Sequence, residues 1–218
     1  PSAPAAPTAC STEMCNRTAK FIADSLDSRL NPCEDFYQFT CGGFNAKRTI
    51  PEDKLALSPW LLPPASINAI YFYYDNSITI PAGFLKFPTF SAERNESFAL
   101  NYGVIGSFIG HEITHGFDDT GRKFDAVGNL HNWWSNASEA GYLTRAQCFV
   151  KQYGDIVEPE TGLHLNGKNG LGENIADNGG AHVSFEAFKA RHLRSPSARL
   201  AALPQYTPEQ LFFLIWGT

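Results

Sequence analysis

The chain has 218 residues, of which 43% are hydrophobic and 18% are charged, as in ordinary folded proteins. Its net charge of -5 at pH 7 argues against a nucleic-acid-binding protein, because such proteins usually carry a basic face. No apolar stretch reaches the roughly 20 residues that a membrane-spanning helix needs. The sequence begins at Pro1 rather than Met, and we expect either a signal peptide or a membrane anchor to precede it.

The cysteines and potential glycosylation sites indicate an extracellular protein. Four of the five cysteines lie in the first 41 residues, which is typical of an oxidised framework. Because five is odd, at least one cysteine lacks a partner within the chain. Three N-x-S/T triplets agree with secretion. The cysteines are Cys10, Cys15, Cys33, Cys41 and Cys148, and the triplets begin at Asn16, Asn95 and Asn136.

The N-terminal quarter predicts a mobile lead followed by short helices. Residues 1–9 are rich in Pro and Ala. Apolar residues from Ala19 to Leu30 recur with helical spacing until Asn31-Pro32 breaks the pattern. Residues 33–44 predict a second short helix that ends at a Gly pair.

The middle of the chain predicts a small sheet and then a helix. Residues 54–66 form an irregular, Pro-rich connection, residues 67–74 predict a strand, and residues 78–80 predict its return after a turn. Residues 101–117 predict a helix, with Ile105, Ile109 and Ile113 as its buried face.

A second long helix is predicted over residues 171–193, with Ala181, Phe185, Phe188 and His192 on one face. Together with the preceding elements it gives an α+β class that is mostly helical.

The motif His111-Glu112-Ile113-Thr114-His115 predicts a metal site on the first of these helices. Residues four apart lie on the same helical face, so both imidazoles can bind one ion. Glu112 lies about 100° around the helix, where it can take a proton from an attacking water without being a ligand.

A third ligand is predicted on the second helix. Catalytic zinc sites use three protein ligands and keep a fourth position open. Glu173 and Asp177 are also four residues apart, so one can bind the ion while the other accepts a hydrogen bond from a liganding histidine. Asp118 and Asp119 directly follow the first helix, and they either support a ligand or end the helix.

Three segments carry a family resemblance: NYGVIGSFIGHEITHGFDDTGRKFD from Asn101, GNLHNWW from Gly128, and residues 164–180 with GENIADNGG. They resemble the neprilysin and endothelin-converting-enzyme family of zinc metalloendopeptidases. Asn68-Ala69 and the segment IPAGF from Ile80 are similar to that family's substrate-binding strand and the residues after it.

The resemblance implies a zincin-like, thermolysin-like catalytic domain in an extracellular protein that cuts peptides on the amino side of bulky apolar residues. His111, His115 and Glu173 would bind one Zn²⁺, Glu112 would be the general base, and Asp177 would orient His111. In addition, Asn68 would hydrogen-bond the substrate backbone beside Ala69.

The same resemblance implies a division into a flexible lead with a small cysteine loop (1–15), an N-terminal helical segment (16–57) and a catalytic domain (58–218). It implies a bridge between Cys10 and Cys15 and pairing of the other cysteines with a tail that this sequence does not contain. Residues 54–60 stand where the family has a large helical region.

Because the large helical region and the C-terminal tail of the family are both missing from this sequence, we expect a shortened family member. The alternative is a secreted, catalytically impaired member that binds zinc or peptides without the lid and the C-terminal residues that stabilise the transition state.

Overall fold

The computed structural model of the chain describes residues 9–32, 39–40 and 62–218. Its first helix, α1 (Glu13–Ser25), begins after Thr12, whose side chain accepts a hydrogen bond from the backbone N–H of Cys15. Ala19 and Ile22 of the predicted helical pattern are buried, which confirms a helix here. However, the helix ends before Leu30, which is exposed. The predicted helix over 33–44 and the connection over 54–66 lie mostly outside the described residues.

The predicted small sheet is confirmed as an antiparallel hairpin of two short strands. Strand β1 (Ile70–Phe72) pairs with β2 (Ser77–Thr79), with Tyr71 opposite Ile78. Asn76 occupies the turn with a φ of 48°, a conformation that Asn tolerates better than most residues. Strand β1 is shorter than the predicted 67–74, because the chain turns at residues 73–76, whereas β2 has the predicted length and begins one residue earlier.

The described residues after the hairpin are mainly helical. Two short 3₁₀ helices, Ala82–Phe84 and Ala92–Arg94, come first. An α-helical turn (Ala99–Asn101) and a π-helical turn (Tyr102–Gly106) then lead directly into α2 (Ser107–His115). The remaining helices of the described residues are a third 3₁₀ helix (Gly121–Lys123) and the α-helices α3 (Asn136–Gly154), α4 (Leu171–Arg194) and α5 (Pro208–Trp216).

Helices α2 and α4 pack closely because glycines meet where they cross. A Cβ atom on Gly110 would lie 2.8 Å from the carbonyl oxygen of Gly180, which is closer than real Cβ contacts. The hydroxyl group of Ser184 on α4 donates to the carbonyl of Tyr102 at 2.6 Å, so the π-helical turn is also fixed to α4.

The predicted buried face of the first motif helix is wrong in part. Ile105 is buried, but Ile109 and Ile113 are 36% and 46% exposed. The residues of α2 that are buried are Ser107, Gly110 and Glu112. The face of α2 that packs against α4 carries small residues, because they let the two helices approach more closely than isoleucines would.

The N-terminal segment and the C-terminal helix share one hydrophobic core. Cys15 and Ile22 of α1 pack in the same cluster as Leu211 and Ile215 of α5. The backbone N–H of Cys10 also donates to the carbonyl of Arg199 at 2.7 Å. The ends of the described chain are therefore joined by both packing and hydrogen bonds.

The mostly helical α+β class with a small sheet is confirmed. Among the described residues, none of the helices is both long enough and apolar enough to cross a membrane. The predicted disulfide bond between Cys10 and Cys15 is present, and Cys148 is a free, exposed thiol. Cys33 and Cys41 lie outside the described residues.

Candidate metal centre

Helices α2 and α4 bring three predicted ligands together. The Nε2 atoms of His111 and His115 lie 2.9 Å apart. The Oε2 atom of Glu173 lies 3.4 Å from the first and 3.5 Å from the second. These three atoms, from residues distant in the sequence, form a group that could hold a metal ion.

The size and chemistry of this group fit zinc. Tetrahedral zinc with bonds of about 2.0–2.2 Å requires ligand atoms roughly 3.3–3.5 Å apart, which agrees with both distances to Glu173, while the two imidazoles lie slightly closer. Each histidine turns its Nδ1 atom towards a carboxylate, which assigns the proton to Nδ1 and leaves a lone pair on Nε2. Two lone pairs and a carboxylate oxygen thus converge, and a cation satisfies all three.

Asp177 holds the imidazole of His111. Its Oδ1 atom lies 2.8 Å from Nδ1 of His111, and both residues are on the facing sides of α2 and α4. The side chain of Asp177 is 58% exposed, whereas that of His111 is 17% exposed. One carboxylate, that of Glu173, therefore lies near both Nε2 atoms, and the other, that of Asp177, lies behind His111.

Asp118 holds the second imidazole and also binds the turn that follows α2, so both roles predicted for it are present. Its Oδ2 atom lies 2.7 Å from Nδ1 of His115, and its Oδ1 atom accepts the backbone N–H groups of Thr120 and Gly121 at 2.7 and 2.6 Å. Burial raises the pKa of Asp118, but the bonds from His115 and the two N–H groups outweigh it and leave the pKa lowered. Asp118 therefore faces His115 as a carboxylate.

The pKa of His115 shifts upwards for the complementary reason. Burial lowers it, but the neighbouring carboxylates of Asp118 and Glu173 favour the charged imidazolium and raise the pKa overall.

Glu112 lies beside the ligand group but is itself buried, with 4% of its surface exposed. The backbone N–H of Tyr71 in β1 donates to its carboxylate. Burial raises the pKa of Glu112, and the two neighbouring histidines oppose the shift. A carboxylate whose pKa is raised is a better proton acceptor at neutral pH than an exposed one.

The predicted substrate-binding residues directly precede β1. Asn68 is exposed and Ala69 is buried against Phe84 and Ile105. Strand β1 contacts α2, so both residues directly precede a strand that touches the motif helix.

One cavity borders the ligand group, and another lies further along α2. One, of about 240 Å³, is bordered by His111, Asp177 and Trp216. The other, of about 300 Å³, is apolar and lies between the hairpin and the end of α2, with Tyr71, Ile113, Phe117, Phe124 and Trp133 among its walls.

The contribution of Tyr71 and Tyr73 of the hairpin to this centre could not be predicted from local patterns in the sequence. From the sequence, Tyr73 is explained by packing within a strand. In the structure its hydroxyl group donates to Oδ2 of Asp118 at 3.3 Å. Asp118 itself carried a local signal, because it is an acidic residue only three positions after His115. The contacts of Tyr71 and Tyr73 join segments that are distant in the sequence, so no local spacing predicts them.

Comparisons with known proteins point to one family of peptidases. Residues 68–218 match the model of Peptidase family M13. The chain is 48% identical to Neprilysin-11 of Caenorhabditis elegans over 172 residues, which cover 78% of this chain and 20% of that protein. It is 44% identical to Neprilysin of Homo sapiens over 163 residues, or 74% of this chain and 22% of that one.

Solved structures give the same result. The zinc metalloprotease ZMP1 of Mycobacterium tuberculosis, in complex with an inhibitor, is 31% identical and superposes with a TM-score of 0.66 over 80% of this chain and 26% of that chain. This chain spans about a fifth of the length of the curated relatives it matches. Because the family model covers well over half of the sequence, the chain belongs to Peptidase family M13.

Proposed function

We propose that the chain is the metal-binding part of a zinc-dependent endopeptidase that cuts peptides on the amino side of bulky hydrophobic residues. In this proposal His111, His115 and Glu173 bind Zn²⁺, and Glu112 is the general base. The convergence of the three ligand atoms within 4.8 Å of one another is the observation that carries it.

The residues of the chain have separate tasks in the reaction. A bound zinc ion supplies an activated water and polarises the peptide carbonyl. Glu112, held by the backbone N–H of Tyr71, accepts the proton from the attacking water and delivers it to the leaving nitrogen. Asp177 keeps the imidazole of His111 in the tautomer that presents Nε2.

The hairpin offers a way to hold an extended substrate. Strand β1 pairs with β2 along one edge, and an extended peptide can add to the other through backbone hydrogen bonds. Asn68, exposed just before β1, would hydrogen-bond the peptide backbone, with Ala69 presenting its backbone groups beside it. The apolar cavity at Ile113 and Phe117 supports a preference for bulky apolar side chains.

We infer that the protein works outside the cell, on peptides. The disulfide bond between Cys10 and Cys15 favours an oxidising compartment, and Asn16, Asn95 and Asn136 of the three N-x-S/T triplets are exposed. The division at residues 15 and 57 stays a proposal, and α1 shares a core with α5.

A peptidase assay with two variants tests the proposal. The purified protein, loaded with one zinc per chain, should cleave a quenched peptide before an apolar residue, and a chelator should abolish cleavage. We expect Glu112→Gln to reduce kcat by at least about 100-fold, because general-base catalysis contributes roughly 10²–10⁴-fold. Glu160→Gln, an exposed glutamate, is the matched control. Cleavage that survives the chelator or Glu112→Gln would refute the proposal, and zinc binding without turnover would favour a non-catalytic member.

A further inference from the structure

The hairpin reaches the metal ligands through one hydroxyl group. Tyr73 lies in the turn after β1, and its hydroxyl group donates to Oδ2 of Asp118 at 3.3 Å. The same Oδ2 atom lies 2.7 Å from Nδ1 of His115. A continuous path therefore runs from the turn of the hairpin through a buried carboxylate to an imidazole that could hold the ion.

The surroundings of Asp118 make the hydrogen bond from Tyr73 difficult to replace. Asp118 is 1% exposed, so bulk water cannot replace a missing hydrogen-bond donor easily. The backbone N–H groups of Thr120 and Gly121 fix its Oδ1 atom, which leaves Oδ2 to be shared by His115 and Tyr73. The hydroxyl group of Tyr73 thus fixes the orientation of Oδ2 of Asp118 towards His115.

The ring of Tyr73 is itself held in place. It stacks on Phe124 with 5.5 Å between the ring centroids and an angle of 15° between the planes. A Cβ atom on Gly121 would come within 3.0 Å of the Tyr73 ring, so the chain after Asp118 passes close beside it. The hydroxyl group therefore has a defined position, and we expect its removal to leave the packing of the ring unchanged.

We propose that Tyr73 is a positioning residue for the metal centre: by donating to Asp118 it fixes the carboxylate that orients His115. This proposal rests on the proposed zinc site. The hydrogen bond of the Tyr73 side chain is to Asp118 rather than to one of the three ligand atoms, so we expect its effect to be exerted mainly through Asp118. The hairpin then supports both halves of the centre, since the backbone of Tyr71 holds Glu112 and the side chain of Tyr73 holds Asp118.

The test compares two single-atom deletions in neighbouring residues. Tyr73→Phe removes the hydroxyl group that reaches Asp118. Tyr74→Phe is the matched control, because Tyr74 is 63% exposed and its ring contacts the same Phe124. The zinc dissociation constant is measured by competition with a chelator, and the visible spectrum is recorded after cobalt substitution. Neither readout depends on peptidase activity.

We expect Tyr73→Phe to raise the zinc dissociation constant by roughly three- to tenfold. Groups that directly hold a ligand are worth about 10- to 100-fold, and Tyr73 acts one bond further away through a rather long contact. The cobalt spectrum should change, and kcat should fall while KM stays constant. Tyr74→Phe should resemble the wild type in all four quantities.

A double-mutant cycle checks that the effect passes through Asp118. In Asp118→Asn the amide nitrogen that replaces one oxygen can no longer accept from the phenol, so adding Tyr73→Phe should have no further effect on the zinc dissociation constant. Additive losses, an unchanged or lower constant in Tyr73→Phe, or an equal loss in Tyr74→Phe would overturn the proposal. A wild-type protein that binds no zinc would instead overturn the proposed function.

Discussion

At the scale of single residues, the two imidazoles are held by carboxylates in contrasting environments. Asp177 lies on α4 with its side chain 58% exposed, and it has one contact to His111. Asp118 is buried, and it accepts from two backbone N–H groups as well as from His115. The exposed carboxylate can be changed with little cost to folding, which makes it the cleaner probe of how orientation affects the ion.

We predict that Asp177→Asn weakens zinc binding by about 10- to 100-fold without unfolding the protein. The amide can no longer accept the Nδ1 proton of His111 as a carboxylate does, so the ring loses both orientation and basicity. Chelator competition measures the constant. Asp155→Asn is the control, since Asp155 is exposed at the end of α3 and pairs with Lys151. A loss in both variants would show a general charge effect rather than orientation.

At the scale of elements, the centre depends on how closely α2 and α4 approach. The ligands at positions 111 and 173 meet because Gly110 and Gly180 let the two backbones touch. The fixed contact of Ser184 with the carbonyl of Tyr102 holds the start of α2 against the same helix. A change that separates these helices should therefore affect both stability and metal affinity.

We predict that Gly110→Ala destabilises the fold by about 1–3 kcal/mol and weakens zinc binding. The new methyl group would lie 2.8 Å from the backbone oxygen of Gly180, and backbone cannot move aside as a flexible side chain can. Urea unfolding and chelator competition measure the two effects.

The control is Gly141→Ala in α3, where the methyl group meets only the end of the Arg145 side chain. That change should stabilise the protein by roughly 0.5–1 kcal/mol, because Ala favours a helix more than Gly does. If both alanines shifted stability in the same direction, close packing of the glycines would not explain the first effect.

A capping box starts the C-terminal helix. The side chain of Thr207 accepts from the backbone N–H of Gln210, and the Gln210 side chain accepts from the N–H of Thr207. We predict that Thr207→Ala lowers the free energy of unfolding by about 0.5–2 kcal/mol, as measured in urea. Thr144→Ala, inside the exposed part of α3, should change it by less than about 0.5 kcal/mol. Equal losses would mean that the cap contributes nothing specific.

At the scale of the whole molecule, the sequence predicted which residues meet at the candidate centre better than it predicted the packing around them. Spacing alone placed His111 beside His115, because a helix fixes which residues share a face. That Glu173 would reach them required the family resemblance, since no local rule tells how two distant helices cross. The prediction that Ile109 and Ile113 are buried was wrong for a related reason. Helix α4 and its glycines decide which face of α2 is covered. Tyr73 was missed because its partner is far along the chain.

The hydrophobic core shared by α1 and α5 contains none of the three candidate metal ligands, so its stability can be changed separately from the metal centre. Ile22 of α1 is fully buried in the cluster that includes Leu211 of α5. Ile22→Val removes one methyl group and should cost about 0.5–1.5 kcal/mol. This corresponds to a decrease in Tm of a few degrees at this chain length. Ile67→Val, at a residue 72% exposed, is its control.

Zinc should raise the Tm of the wild type and of Ile22→Val by the same amount. An ion that binds only the folded state stabilises it by about 2.7 kcal/mol at 100 times its dissociation constant, and none of its predicted ligands lies in the N-terminal core. Glu173→Gln, which replaces one ligand, should greatly reduce the increment while leaving the Tm of the zinc-free protein nearly unchanged, because that side chain is 71% exposed. A smaller zinc increment in Ile22→Val would instead show that the N-terminal core and the metal centre are coupled energetically, as one unit in which α1 supports the position of α2.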